Sequence, residues 1–188
     1  TGGIVPDQDW DRNKQKILRA IELTASLKLK YLTFHFGFID NTKPKLRERV
    51  KFLADAAGEK NVMILMETGQ EDAETLRDFL AELSHPALGV NFDPANMILY
   101  GKGDPVQALE TLAPWVKHVH IKDALRSPVA GKWGREVAWG EGDFDNNEFL
   151  STLSRIGYQG ALAIEREAGS TRMQDIQNTV RDLQQFSV

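Results

Sequence analysis

The stretch Val116-Lys117-His118-Val119-His120-Ile121-Lys122-Asp123 decides how the rest of the chain reads. A short β-branched run carries two histidines spaced two apart, so both point to one side of an extended strand. It ends in a lysine and an aspartate. The same form recurs along the chain, an apolar run closed by a metal-ligand type. Val62-Met63-Ile64-Leu65-Met66 closes on Glu67, Val90-Asn91-Phe92 on Asp93, and Ala161-Leu162-Ala163-Ile164 on Glu165. Continuous apolar runs of this length fit parallel strands buried on both faces. They predict strands at Tyr31–Phe36, Val62–Met66, Leu88–Phe92, Val116–Ile121 and Ala161–Ile164. A sixth is expected near Glu136–Trp139, and the end of another at Thr1–Val5.

Stretches of helical period separate the strands. Leu46, Val50, Leu53 and Ala57 step by three and four, as do Leu76, Phe79, Leu80 and Leu83, and Met173, Ile176, Val180 and Leu183; Ile17 with Ile21 anchors an earlier helix. Each stripe predicts one face against a sheet. Gly58 and Gly157 stand where helices should stop, and Asp104 before Pro105 forms a start signal. This alternation means α/β. No G-x-G-x-x-G or P-loop follows a strand, which removes the main signal for a nucleotide-binding open sheet. His35, Glu67, Asp93, His120 and Glu165 all fall at or near C-terminal strand ends, which converge on one mouth in a barrel. A (β/α)8 TIM barrel is therefore expected, as a single domain over residues 1–188. Closure needs eight strands. The count falls short and the chain begins without Met, so an N-terminal strand–helix–strand portion is expected to be missing from it.

Composition narrows the function. The 188 residues hold no cysteine, which excludes disulfides and thiolate metal sites and leaves His, Asp and Glu as the strong ligands. A net charge of −4 without a basic run argues against nucleic acid as a partner. No apolar run approaches the roughly 18 residues of a membrane span, and the first residues lack a signal-peptide pattern. A cytoplasmic location is expected. An exposed barrel edge would invite pairing with a second chain, so a homo-oligomer is expected too.

Three carboxylates and an imidazole at neighbouring strand ends should repel and drift up in pKa without a partner. Their oxygen and nitrogen donors suit one divalent metal ion, Mn, Mg, Co or Zn. Several further residues are candidates for substrate binding. His35 would reach a hydroxyl or a second metal. Lys122 and Arg126 would bind phosphate or developing negative charge. Glu141 lies between Gly140 and Gly142, where backbone can approach a ligand closely. Trp133 and Trp139 suit either a wall over the substrate or apolar support for their loop.

These motifs, in this order, resemble the xylose isomerase-like TIM-barrel superfamily, in particular its sugar phosphate isomerase/epimerase members. The resemblance rests on Leu65–Gly69, Asn91–Asn96, His118–Asp123, Gly140–Asp143 and Ala163–Glu167 and covers essentially the whole chain. It implies a single divalent ion held by Glu67, Asp93, His120 and Glu165. Glu67 and Glu165 become the acid/base pair for proton abstraction next to a carbonyl, with a metal-stabilised enediolate. The substrate implied is a small sugar, sugar phosphate or polyol. The family's ketose 3-epimerases carry an Arg six residues after the metal His, the offset of Arg126. They often carry a His three residues after the Asp, where this chain has Asn96. Two other readings stay open: an inosose-dehydratase-like lyase of the same superfamily, and a catalytically silent sugar-binding barrel.

Overall fold

The computed structural model describes residues 3–39, 42 and 44–185. The chain forms two compact units, one made of residues 1–67 and 74–91, the other of residues 68–73 and 92–188.

In the first unit, α1 (Asp7–Ser26) leads to β1 (Tyr31–Phe34), α2 (Pro44–Gly58), β2 (Met63–Glu67), α3 (Ala73–Leu83, from Glu74 in this unit) and β3 (Leu88–Phe92, to Asn91 in this unit). β1 pairs parallel with β2 from Tyr31 opposite Met63 to Phe34 opposite Met66. β2 pairs parallel with β3, with Glu67 opposite Asn91. The predicted α2 stripe is real. Val50, Leu53 and Ala57 have no exposed surface and Leu46 almost none, and α2 packs on β2. Leu76, Phe79 and Leu80 of α3 are likewise buried. A buried arginine fixes the segment before α1. Arg49 donates to the carbonyls of Ile4 and Val5, both at 2.8 Å, and pairs with Asp7.

In the second unit, α4 (Pro94–Tyr100), α5 (Pro105–Leu112) and a single 3₁₀ turn at Ala113–Trp115 precede β4 (Val116–Ile121). A hairpin of β5 (Asp123–Leu125) and β6 (Arg135–Val137) follows, then α6 (Asn146–Arg155), β7 (Leu162–Ile164) and α7 (Arg172–Gln185). β4 and β7 pair parallel, His120 opposite Ala163. Asp104 caps α5 by accepting from the Val106 and Gln107 amides, as the sequence predicted. Asp93 does the same for α4, a helix not anticipated, by accepting from the Asn96 amide. Pro94 therefore starts a helix as well as ending a strand.

Three expectations are corrected here. The strand near Glu136–Trp139 exists as β6, but it runs antiparallel to β5 in a separate two-stranded sheet, with Ala124 opposite Glu136. A run of three residues followed by Ala138, Trp139 and Gly140 makes a hairpin arm and not a barrel stave. Residues 3–5 form a turn and a connection; the remainder of the expected strand at Thr1–Val5 lies outside the described residues. On α7 the face differs from the predicted stripe. Met173 and Val180 are exposed, and Thr179 is the buried residue, its hydroxyl bonded to the Asp175 carbonyl.

Candidate metal centre

Asp93 leaves β3 with its carboxylate wholly buried and its main chain held from both sides. The Thr68 hydroxyl accepts from the Asp93 amide at 2.8 Å and donates to the Asp93 carbonyl at 3.1 Å. Asp93 Oδ1 caps α4, which leaves Oδ2 turned toward His120, whose Nδ1 lies 3.5 Å away. The same nitrogen lies 3.3 Å from Oε2 of Glu165, the residue just after β7. Carboxylate oxygens of Asp93 and Glu165 and a ring nitrogen of His120 all come within 4.8 Å of one another. Gly69 makes the packing behind Asp93 feasible: a Cβ there would sit 2.4 Å from Asn96 Cβ, and its φ of +127° is one that side chains rarely adopt.

Lys122 sits in the midst of these acids. The residue is 4% exposed, and its ammonium donates to Glu165 Oε2 at 2.8 Å and Glu167 Oε2 at 2.7 Å; Asp93 Oδ2 and Glu136 Oε2 each lie 3.8 Å away. At Glu165 the expected upward drift is corrected. The His120 hydrogen bond lowers the Glu165 carboxyl against the effect of burial, and Lys122 adds to it, bringing the pKa to about 2. Burial pushes the His120 imidazolium down, but Asp93 and Glu165 outweigh that and raise it to about 10. Burial likewise opposes the Lys122 charge, and Asp93, Glu165 and Glu167 overcome it, so this lysine is held above its ordinary value. Two cations supplied by the chain therefore balance the acids. Binding of a metal by His120 must be accompanied by loss of its proton.

The donor set still fits a divalent ion. It offers oxygen and nitrogen without sulfur, on converging strand ends, with one carboxylate fully buried and its backbone fixed. Asp93, His120 and Glu165 would hold such an ion, and the Thr68 bonds and the α4 cap would orient Asp93.

The other predicted residues distribute as follows. Glu67 ends β2 in the first unit, with His35 Nε2 at 3.6 Å from its Oε1; His35 lies just past β1 and is about half exposed. Asn96 is buried in the first turn of α4. Arg126 is turned away to the Gly103 carbonyl, which both terminal nitrogens reach at 3.3 Å. Glu141 is exposed. The close approach permitted by its flanking glycines is to the Asp123 carboxylate, which accepts from the Gly140 and Gly142 amides at 2.9 and 3.2 Å. Trp139 packs edge-on against Phe144 and Phe149 and so supports the loop from within. Trp133 is exposed and edge-on to Tyr100, ring centroids 4.5 Å apart.

Sequence reasoning missed Glu136, Arg166 and Asp175. Arg166 bridges Glu136 at 2.6 Å and Asp175 at 2.9 Å beside the strand end that carries Glu165. The alternation Glu165-Arg166-Glu167 was the available signal for a charged cluster there.

The comparisons agree with this fold. The family model for the xylose isomerase-like TIM barrel matches residues 2–186, and the chain belongs to that family. A xylose isomerase domain protein from Planctomyces limnophilus superposes with a TM-score of 0.91 at 35% identity, over 98% of this chain and 67% of that one. An inosose dehydratase from Clostridium tetani is 26% identical over 77% of this chain and 53% of its own length. A xylose isomerase-like TIM-barrel protein from Mycobacterium smegmatis, solved in complex with magnesium, superposes with a TM-score of 0.75 at 21% identity, over 97% of this chain and 69% of that one. The chain spans about half the length of the curated relatives it matches. Among the described residues, no helix is long and apolar enough to cross a membrane.

Proposed function

We propose that this chain belongs to a divalent-metal-dependent enzyme that takes a proton from the carbon beside a carbonyl of a small sugar, sugar phosphate or polyol and returns it, as an isomerase or epimerase does. The convergence of Asp93, His120 and Glu165 around the buried Lys122 carries this reading. Glu67 is proposed as the fourth ligand, and the whole as one barrel domain. When bound, the metal would supply Lewis acidity to a carbonyl and its neighbouring hydroxyl.

The side chains supply the rest. Glu165 is held ionised by His120 and Lys122, contacts that weaken it as a base and must loosen for it to accept a proton. Glu67 is assigned the complementary acid/base role. Lys122, whose charge is reinforced by the acids around it, favours negative charge developing on substrate oxygen. His35, Asn96, Arg126 and Glu141 are the proposed contacts to the polyol; Arg126 must leave the Gly103 carbonyl to serve.

A lyase reading is favoured by a separate observation, the inosose dehydratases among the relatives. It shares the first proton abstraction and differs in what leaves. The deciding experiment has two stages. Calorimetry with Mn²⁺ should show one ion per chain for wild type and none for Glu165→Gln. Ketoses and inososes in D₂O with Mn²⁺ should then exchange their carbon-bound proton, followed by NMR. Exchange with the hydroxyls retained supports the isomerase or epimerase. Loss of a hydroxyl with a new enone absorbance supports the lyase. No Mn²⁺ binding by wild type sinks both and leaves a silent sugar-binding barrel.

A further inference from the structure

We infer that Glu136, on the hairpin arm β6, is a positioning residue for the metal centre; the inference rests on the proposed ligand set. Its side chain is 8% exposed, and its two oxygens divide their work. Oε1 accepts from three donors: Arg166 Nη1 at 2.6 Å, the Glu167 amide at 2.9 Å and the Ala168 amide at 3.0 Å. Oε2 faces Lys122 Nζ at 3.8 Å. One carboxylate thus grips the main chain immediately after Glu165 and also faces the ammonium that Glu165 and Glu167 share.

The other bonds on that segment come from long side chains, Lys122 on the Glu167 carboxylate, Arg172 on the Glu167 carbonyl at 2.8 Å and Arg166 on Asp175, whereas Glu136 accepts from the Glu167 and Ala168 main-chain amides themselves. β7 is only three residues long, and Arg166 to Ala168 follow it without regular structure before α7 begins at Arg172. Glu165 is bonded to β4 through its amide, which donates to the Ile121 carbonyl at 3.1 Å. Beyond that residue the strand ladder ends and Glu136 takes over. The hairpin brings it there because Ala124, two residues after Lys122, stands opposite Glu136 in the β5–β6 pair. Lys122 and the clamp on the Glu165 strand end are therefore set by one local fold, the hairpin. Glu136 touches neither substrate nor metal in this scheme and acts by orienting residues that do.

The test uses the full chain, with Glu136→Gln as the near-isosteric variant and Glu136→Ala as the second. Hydrogen exchange at the Glu167 and Ala168 amides reports the clamp. Calorimetric Mn²⁺ affinity reports its effect on the ligands. The expected result is a 10- to 100-fold weaker Mn²⁺ affinity in each variant that folds, the usual scale for residues that orient ligands. Faster exchange at those two amides in Glu136→Ala, beyond any rise at other amides of the second unit, should accompany it. Asp175→Asn serves as the control: it removes the other partner of Arg166 but leaves the Glu136 bonds to the main chain, and should change Mn²⁺ affinity much less. Wild-type binding with unchanged affinity in both Glu136 variants overturns the inference alone. An equal loss in Asp175→Asn also overturns it, since general loosening of the Arg166 cluster would then suffice. No Mn²⁺ binding by wild type overturns the ligand set itself, and the inference with it.

Discussion

Asp123 and Gly142 stand so close that no other residue fits opposite this carboxylate: a Cβ on Gly142 would lie 1.7 Å from Asp123 Oδ1 and 2.7 Å from the Ala124 carbonyl oxygen. The contact exists because Asp123 collects amides. Its Oδ2 accepts from Gly140, Gly142 and the Asn146 side chain, and its Oδ1 from the Ala124 amide. A single buried acid ties the start of the β5–β6 hairpin to the loop before α6. Burial nevertheless raises the Asp123 carboxyl above its ordinary value, against the pull of these hydrogen bonds.

Gly142→Ala is accordingly expected to destabilise the chain by about 1–3 kcal/mol, the scale for overpacking at a site that cannot relax freely. Urea unfolding would show a lower midpoint at an unchanged slope. Gly131→Ala is the comparison: its φ of +72° strains the backbone, but a Cβ there meets nothing within 4 Å. A smaller loss at Gly142 than at Gly131 would mean that the Asp123 contact is readily relieved.

Lys122→Met should be the most damaging single change at the centre when no metal is present. It preserves length and removes the cation that bonds Glu165 and Glu167 and faces Asp93, leaving a buried carboxylate with less compensation. Breaking such a buried pair typically costs about 3–5 kcal/mol, and the partial exposure of Glu165 and Glu167 places the expectation at or below the lower end. Millimolar Mn²⁺ should recover part of the loss, because a bound cation restores the missing positive charge. Thermal unfolding of both proteins with and without Mn²⁺ measures this. Equal stabilisation of wild type and variant by Mn²⁺ would contradict it.

A pH dependence follows from the pair of Asp7 with Lys45 and Arg49. Hydrogen bonds from Lys45 and Arg49 hold the Asp7 carboxyl below its ordinary value of 3.8. A carboxyl depressed in the folded chain contributes stability that is present above its unfolded pKa and is lost as pH falls through its folded pKa. Asp7→Asn should therefore be less stable than wild type at pH 7, and the gap should close below pH 3.8. Urea midpoints at both ends of this range decide it; a gap of constant size would show that Asp7 acts by something other than its charge.

Much of the architecture was legible because β2 and β3 are largely buried on both faces and therefore read as mostly apolar runs. Met63–Glu67 and Leu88–Phe92 are plain for that reason. Ligand-type residues at strand ends were legible too, since Glu67, Asp93 and Glu165 each interrupt such a run. Two kinds of feature were not. The short helix α4 has only seven residues, all but one buried, so it has no polar face to give it a period. The electrostatic partners were also hidden, because an ion pair joins residues far apart in the chain. Lys122 meets Glu165 across 43 positions, and Glu136 meets Arg166 across 30. A lysine after a histidine strand reads as a phosphate binder; only the packing reveals that it is the counter-charge of the acids.

The dual use of Asp93 has an evolutionary consequence. One of its oxygens starts α4 and the other faces His120, so a lineage abandoning the chemistry does not have free choice at this position. Asn or Ser would remove the proposed ligand and keep the helix start, while Ala would forfeit both, at a cost of about 1 kcal/mol for the cap alone. If the proposed chemistry holds, relatives that have drifted out of it should therefore carry a small polar residue here. Its presence would date the loss to a time when the helix was still needed.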